Sequence, residues 1–242
     1  MNDDSERTYR RRVRARGLVA FEVKVRETDL WIAAGRPLES EARDLVFEAR
    51  QPLESYLDEH GEMLSALSPV ADDPLAPPIV QEMIRASRGA GVGPMASVAG
   101  AIAEQVGRGL LRYTDRVVVE NGGDVFLSLG RSVTVRVFAG RSPLSRRIGL
   151  SIPRGEMPVG VCSSSGSIGH SLSLGRADAA CVVASSTALA DAAATALGNR
   201  VRSRSDLDKA ASWAAGIPGL RGGLVILGKA MAAWGNVELV EL

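Results

Sequence analysis

Residues Val117–Leu127 read VVVENGGDVFL, and the rest of the chain can be arranged around this stretch. The three valines favour a buried, pleated strand, because β-branched side chains pack well on such a surface. The two glycines that follow can adopt the positive φ angles of a tight hairpin turn. Glu120 and Asp124 flank this turn. The stretch therefore predicts a β-hairpin whose turn carries two acidic groups, although an ordinary hairpin with solvated acids is the simpler interpretation.

The composition is that of a globular protein and argues against several functional classes. The chain has 242 residues, of which 45% are hydrophobic and 24% charged, and its formal net charge is +1. So small a net charge provides no field that would attract nucleic acid or a membrane surface. Aromatic residues make up only 4%, which leaves few platforms for stacking bases. We therefore expect no nucleic-acid partner and no membrane association.

The cysteines and the N-terminal residues indicate the compartment. Cys162 and Cys181 are too few for a disulfide framework and are not spaced as a metal-binding knuckle. The first residues, MNDDSE, contain no apolar core, no small-residue cleavage site and no lipid-attachment cysteine. We therefore expect a cytoplasmic protein. Residues 7–16 (RTYRRRVRAR) form a basic patch that could contact phosphate or support assembly, but a solvated strand face explains it more simply.

Hydrophobic periodicity predicts groups of hairpins separated by pairs of helices. Helices are predicted at 39–60, 79–88, 95–111, 185–199 and 206–215, with Pro52 expected to kink or split the first. Strands are predicted at 17–26, 30–34, 117–127, 133–139, 147–152, 158–162, 179–184, 224–227 and 237–240. Because helices do not follow every strand, we expect an α+β fold with antiparallel sheets and packed helices. We expect the proline-rich segment 68–78 to cross the surface of one domain spanning 1–242.

The glycine-rich loop Gly89–Pro94 is a candidate anion site. It leads into the predicted helix 95–111, where free N–H groups and the positive end of the helix dipole favour a negative charge. Its spacing matches neither the dinucleotide-binding fingerprint nor the phosphate-binding loop (P-loop) of nucleoside triphosphatases. An ordinary glycine-rich helix entry is the simpler interpretation.

The stretch Cys162–Ser171 (CSSSGSIGHS) is a second candidate site. Consecutive hydroxyl groups on a flexible backbone can surround a phosphate or a nucleotide. A Ser–His nucleophile pair with His170 is conceivable, but the G-x-S-x-G elbow is absent. A histidine in a loop is more often an ordinary surface residue.

Asp191 and Thr195 form a third candidate site in an alanine-rich predicted helix. They are four residues apart, so their side-chain oxygens lie on one helix face. Mg²⁺ prefers such oxygen ligands and retains phosphate and water as its other ligands. The alternative is an aspartate that favours the helix dipole and a threonine that bonds back to its own helix.

Four motifs occur in the order and rough spacing of the ApbE-like superfamily, and the chain resembles that superfamily over about residues 77 to 200. They are SVAGAIA at 97–103, ENGGD at 120–124, SSSG at 163–166 and ADAAATA at 190–196. The namesakes of the superfamily are FAD:protein FMN transferases. The sequence around these motifs is similar to the cytosolic branch of that superfamily. The resemblance implies a single ApbE-like, T-fold-related α+β domain.

The resemblance also implies roles for individual residues. Asp191 and Thr195 match positions that help to hold Mg²⁺ beside the FAD pyrophosphate. The glycine turn matches the wall of the flavin pocket, and the serine-rich strand end matches a segment that touches the nucleotide. The implied cofactors are FAD, or a related nucleotide, and Mg²⁺. The expected nucleotide-binding residues are Gly93, Ser97, Asn121, Gly122, Gly123, Asp124, Ser164, Ser165 and Gly166.

One departure from the transferases keeps two functions open. The transferases continue with His-x-x-Asp-Pro, whereas His170 is followed by SLSLGRAD. The first hypothesis is Mg²⁺-assisted FMN transfer or FAD hydrolysis, in which His170 or Asp178 moves a proton. The second is a ligand-binding protein of sulfur or cofactor metabolism that lacks flavin transfer. Alanine-rich helix faces and exposed strands are also compatible with a homodimer.

Overall fold

Antiparallel β-structure organises the protein, which we describe from a computed structural model over residues 17–165 and 174–242. Within these ranges lie the strands β1 (Val19–Val25), β2 (Thr28–Ala34), β3 (Val117–Asn121), β4 (Asp124–Ser128), β5 (Val133–Arg136), β6 (Ile148–Ile152), β7 (Val159–Ser164), β8 (Ala179–Ala184), β9 (Leu220–Leu227), β10 (Ala230–Gly235) and β11 (Glu238–Glu241). Eight of them form one large sheet in the order β1-β2-β3-β4-β7-β8-β9-β10, and a small sheet has the order β11-β6-β5. Neighbouring strands are antiparallel throughout, which confirms the predicted fold class.

The helices all precede or follow runs of strands. They are α1 (Glu39–Glu59), α2 (Glu62–Ser65), α3 (Pro78–Ala90), α4 (Val98–Leu110), α5 (Thr187–Asn199) and α6 (Leu207–Ala215), with short 3₁₀ turns at Pro94–Ser97, Arg154–Glu156 and Arg204–Asp206. The helix α1 runs unbroken through Pro52, so the expected split does not occur. Its apolar face is buried on both sides of the proline, which holds the two halves against the same core. No helix in the described ranges has the length and apolarity to cross a membrane.

The large sheet is covered on both faces. On one face, side chains such as Ile32, Phe126 and Val182 pack against the helices in the main core. On the other face, a second core that includes Val161 and Cys181 lies against the small sheet. Strand β8 is buried along its whole length because it lies in the middle of this three-layer arrangement. Its small and β-branched residues fit both layers.

Two strand boundaries differ from the prediction for identifiable reasons. Residues Thr28 and Asp29 lie between the predicted strands 17–26 and 30–34 but begin β2, and the turn lies at Arg26 and Glu27, where Arg26 has a φ of 52°. Strand β9 begins at Leu220, four residues before its predicted start, and pairs with the unpredicted strand β10.

The glycines of β9 explain why periodicity did not reveal this hairpin. A Cβ on Gly223 would lie 2.6 Å from the indole of Trp234 on β10, so the missing side chain makes room for the tryptophan. Glycine gives no alternation signal, although here it marks a close approach within a strand.

Candidate functional site

The Gly122–Gly123 turn joins β3 to β4 as the sequence predicts. Its two glycines have φ angles of 67° and 112°, a conformation that L side chains rarely adopt. The N–H of Gly123 donates to Glu120 Oε1 at 2.9 Å, and the hydroxyl of Ser163 on β7 donates to the carbonyl of Gly123 at 3.3 Å. The turn is therefore held both by its own strand and by β7.

Asp124, the first residue of β4, points into the protein towards the helices. It lies opposite Cys162 of β7, and Phe126, two residues further along the same face, belongs to the helix-side core. The side chain is only 7% exposed, and its Oδ1 atom has no hydrogen-bond partner among the described residues. A buried carboxylate oxygen without a partner is costly, so the site is suited to a ligand that supplies one.

Asp191 reaches the same place from α5. Its Oδ2 atom accepts a hydrogen bond from the backbone N–H of Gly100 on α4 at 2.9 Å. A Cβ on Gly100 would lie 2.4 Å from the carbonyl oxygen of Thr187 and 2.8 Å from the Cβ of Asp191. Only glycine therefore allows α4 to approach α5 closely enough for this bond.

The peptide unit between Ala99 and Gly100 connects the hairpin to α5. Asn121 Nδ2 donates to the carbonyl of Ala99 at 3.1 Å, and the N–H of the same peptide unit donates to Asp191. Bonds in such a chain polarise one another, so each strengthens its neighbour. Asn121 thereby acts on the orientation of Asp191 through one peptide plane.

Asp124 and Cys162 lie opposite each other on neighbouring strands, α5 packs against both strands, and the pKa values of Asp124, Asp191 and Cys162 are all raised. Burial raises the pKa of Asp124 to about 7, and the nearby Glu120 adds to the rise while the Cys162 thiol opposes it. Burial, then the charge of Asp124, raises the pKa of Asp191 well above its ordinary value. Burial and both aspartates also raise the pKa of the Cys162 thiol. The two carboxyl groups resist ionising together unless a positive charge joins them.

This donor set fits a hard cation that keeps several water or phosphate ligands. Carboxylate oxygens are what Mg²⁺ prefers, and Asp124 Oδ1 is available for such a contact. Within the parts of the chain that the structure describes, no three His, Cys, Asp or Glu side chains cluster as a complete metal site. The protein alone would thus supply only part of the coordination shell. Thr195 lies one turn beyond Asp191 on α5 and is half-buried.

The predicted residues of the Gly89–Pro94 loop and its helix entry have structural contacts. A Cβ on Gly93 would lie 1.7 Å from the carbonyl oxygen of Ala66, so a neighbouring chain segment crosses directly over this glycine. Ser97 is buried, and its hydroxyl donates to the carbonyl of Pro94 at 2.7 Å. The predicted helix 95–111 is divided here, because a 3₁₀ turn precedes α4. The predicted nucleotide contacts of these two residues remain predictions.

The serine-rich strand end is only partly described. Ser164 ends β7, and its hydroxyl oxygen lies 3.8 Å from the position of a Cβ on Gly198 of α5. Ser165 follows it and is half-buried. Gly166 and His170 lie outside the described residues, as does the basic stretch 7–16.

Asp178 has a structural contact away from the carboxylate pair. Its Oδ2 atom accepts a hydrogen bond from the N–H of Gly228 at 2.6 Å, in the turn between β9 and β10. The strand β7 separates β4 from β8, so Asp178 is about 10 Å or more from Asp124. Its predicted proton transfer remains a prediction.

Glu104 was missed by sequence reasoning, and Cys162 was singled out there only as the first residue of the serine-rich stretch. Glu104 is 3% exposed; it accepts the N–H of Thr187 at the start of α5 and pairs with Arg108 at 2.6 Å. The Cys162 thiol donates to the carbonyl of Thr187 at 3.4 Å. Both fix the first turn of α5, and hence Asp191. A lone glutamate on the apolar face of α4 was the signal for the first of them.

Comparison with known proteins places the chain among relatives that span most of its length. The family described as AbpE bacteria matches residues 10–214. A UPF0280 protein of Methanocella arvoryzae is 37% identical over 221 residues, covering 90% of this chain and 89% of the relative. A UPF0280 protein of Methanosphaerula palustris is 40% identical over 198 residues, covering 81% of each chain.

Solved structures of flavin transferases have the same fold. The Vibrio cholerae flavin transferase ApbE matches with a TM-score of 0.55 and 13% identity, over 90% of this chain and 96% of that one. The apo form of the Pseudomonas stutzeri flavinyl transferase ApbE matches with a TM-score of 0.54 and 15% identity, over 90% and 93%. At such low sequence identity, this structural similarity establishes the fold alone.

Proposed function

The chain belongs to the AbpE bacteria family, and from this premise we propose that it binds a flavin nucleotide, FAD or a relative, together with Mg²⁺ at the Asp124–Asp191 pair. One observation carries the proposal: Asp124 beside the glycine turn is buried and its Oδ1 atom has no partner among the described residues, while its charge raises the pKa of the buried Asp191 on α5. The fold shared with flavin transferases supports the choice of nucleotide.

Different residues of the site would bind the cation and the nucleotide. Asp191, oriented by the N–H of Gly100, and Asp124 would hold the cation, with Thr195 as a further oxygen donor on the same face of α5. Mg²⁺ bound there would neutralise negative charge on the pyrophosphate. The Gly122–Gly123 turn exposes backbone without side chains, so the nucleotide could approach it closely.

The proposed reaction is FMN transfer or FAD hydrolysis, since both break the pyrophosphate that the site would hold. Burial of the carboxylates strengthens their interaction with a cation relative to the same groups in water. The second candidate is a ligand-binding protein of sulfur or cofactor metabolism without flavin transfer. The absence of Asp-Pro after His170 favours this second candidate.

A binding experiment with FAD tests the proposal. We expect FAD to bind the wild-type protein more tightly in Mg²⁺ than in a chelator, and Asp191→Asn to lose this difference. The matched control is Asp44→Asn on the exposed face of α1, which should behave as wild type. The absence of FAD binding with and without Mg²⁺ would overturn the proposal.

The products of a longer incubation separate the two candidates. FMN and AMP released from FAD, or FMN attached to an acceptor protein, would support the enzyme. Mg²⁺-dependent binding with an unchanged FAD pool would instead favour the ligand-binding protein. Chromatography of the nucleotides after removal of the protein gives either answer directly.

A further inference from the structure

A pocket lies beyond the end of strand β4 that is opposite to Asp124. It has a volume of about 140 Å³ and is lined by Leu18, Arg116, Leu129, Gly130 and Arg131. Strand β4 begins at Asp124 and ends just before this pocket, so the two places are about 15 Å apart along the strand. The pocket is therefore separate from the proposed nucleotide site.

The backbone of Arg116 is fixed on one wall of the pocket. Its N–H donates to the hydroxyl of Thr114 at 3.3 Å, and its carbonyl accepts the N–H of Gly35 at 3.2 Å. Its guanidinium lies near two glycines, because Nη1 is 3.9 Å from the position of a Cβ on Gly17 and Nη2 is 3.7 Å from that on Gly35. The absence of side chains there leaves room around the guanidinium.

The loop that carries Arg131 is held on both sides. The N–H of Leu129 donates to Met157 Sδ at 3.1 Å, and the hydroxyl of Ser132 accepts the N–H of Arg154 at 3.1 Å. Both walls of the pocket are thus formed by anchored backbone. A preformed site loses less entropy when it binds a ligand than a mobile one does.

The charge of the pocket is positive. Arg116 Nε lies 3.4 Å from a carboxylate oxygen of Asp115, whose side chain is 87% exposed, so this pair is weakly coupled. Arg131 has no ion-pair partner within residues 17–165 and 174–242. Arg36 adds further positive charge nearby, since its Nε donates to the carbonyl of Tyr113. Two arginines therefore line the pocket, and the exposed carboxylate of Asp115 lies beside one of them, Arg116.

The size of the pocket limits the ligand. Sites for drug-sized molecules have about 300–1,000 Å³, whereas a cavity of about 150 Å³ accepts a group the size of benzene. We propose that this pocket binds a single tetrahedral oxoanion, as inorganic phosphate or as the end of a phosphate monoester, between Arg116 and Arg131. Guanidinium groups present paired N–H donors that match the oxygens of such anions. Leu18 and Leu129 provide an apolar wall for the organic part of a monoester.

Titration with sodium phosphate at constant ionic strength tests this site. We expect saturable changes in the amide chemical shifts of Gly130 and Arg131, and about tenfold weaker binding in Arg131→Ala. Arg116→Lys keeps the charge but loses the paired donors, so it should also weaken binding. Arg204→Ala is the matched control, because this exposed arginine lies beside α6, which packs on β9 and β10.

The outcomes separate this site from general charge and from the nucleotide site. A wild-type protein without saturable shifts would overturn the proposal, as would equal weakening in Arg131→Ala and Arg204→Ala. Tighter binding of glycerol phosphate than of inorganic phosphate would identify a monoester as the ligand, and the reverse order would identify the free anion. Asp191→Asn should bind phosphate as wild type does, whatever its effect on FAD.

Discussion

Asp124→Asn should remove a large pH-dependent penalty on stability. The carboxyl group of Asp124 is buried, and its burial raises its pKa from 3.8 to about 7. The folded protein therefore holds this proton more tightly than the unfolded chain does. The contribution of this group to stability is fully present below pH 4 and is lost as the pH rises towards 7. An asparagine keeps the shape of the side chain but carries no charge at any of these pH values.

The magnitude follows from the shift. The pKa of Asp124 rises by about 3, which corresponds to about 4 kcal/mol of unfolding free energy at about 1.4 kcal/mol per pKa unit. This is an upper value, because the carboxyl groups of Asp124 and Asp191 titrate as a coupled pair and the shift does not belong to Asp124 alone. We therefore expect the variant and the wild type to differ little at pH 4. At pH 8 the free energy of unfolding of the variant should exceed that of the wild type, by up to about 4 kcal/mol more than at pH 4.

Urea unfolding followed by circular dichroism between pH 4 and pH 8 measures this directly. The wild-type free energy of unfolding should fall with pH more steeply than that of Asp124→Asn. Asp58→Asn on the exposed face of α1 should keep the wild-type slope. Parallel pH profiles for wild type and Asp124→Asn would refute the burial of an ionisable carboxyl group at this position.

The remaining predictions concern packing, the turn and the thiol. Gly100→Ala would force a Cβ to within 2.8 Å of Asp191, so urea unfolding should show a loss of about 1–3 kcal/mol. Gly122→Ala has space for its methyl group but a φ of 67°, and the same assay should show about 1 kcal/mol lost. Thr187→Val removes a buried hydroxyl that has no partner in the described residues, so thermal unfolding should show no loss of stability. The buried Cys162 thiol, with its raised pKa, should react with Ellman's reagent only as fast as the protein unfolds.

The sequence predicted the parts of the fold that depend on local patterns. The valines and paired glycines of 117–127 give the observed β3–β4 hairpin, and the serine before Thr187 gives the observed start of α5, where Ser186 accepts the N–H of Leu189. Strand β10 was missed because glycine and alanine give no alternation. The split that Pro52 suggested does not occur, since buried residues on both sides of it hold α1 against one core.

The site was harder to predict because its parts are far apart in sequence. The i, i+4 spacing suggested Asp191 and Thr195, but only their resemblance to known motifs associated them with Asp124. The hydrogen bond from Gly100 to Asp191 depends on how closely α4 packs on α5, which no short stretch encodes. Cys162 drew attention for its serine neighbours rather than for its contact with the site.

The composition of α5 affects how a mutational scan of this protein should be interpreted. Ten of its thirteen residues are buried, and most of these are alanines that leave little room around them. Alanine has no rotamer freedom to lose on folding, so this helix is ordered at low entropic cost, but it also has no side chain that could shift to accommodate a larger one. Almost every substitution of a larger side chain along α5 should destabilise the protein through steric crowding. Loss of function at its alanines would therefore report a lack of space and not a role in binding or catalysis. Asp191→Asn, which preserves size, is the substitution in this helix that separates the two.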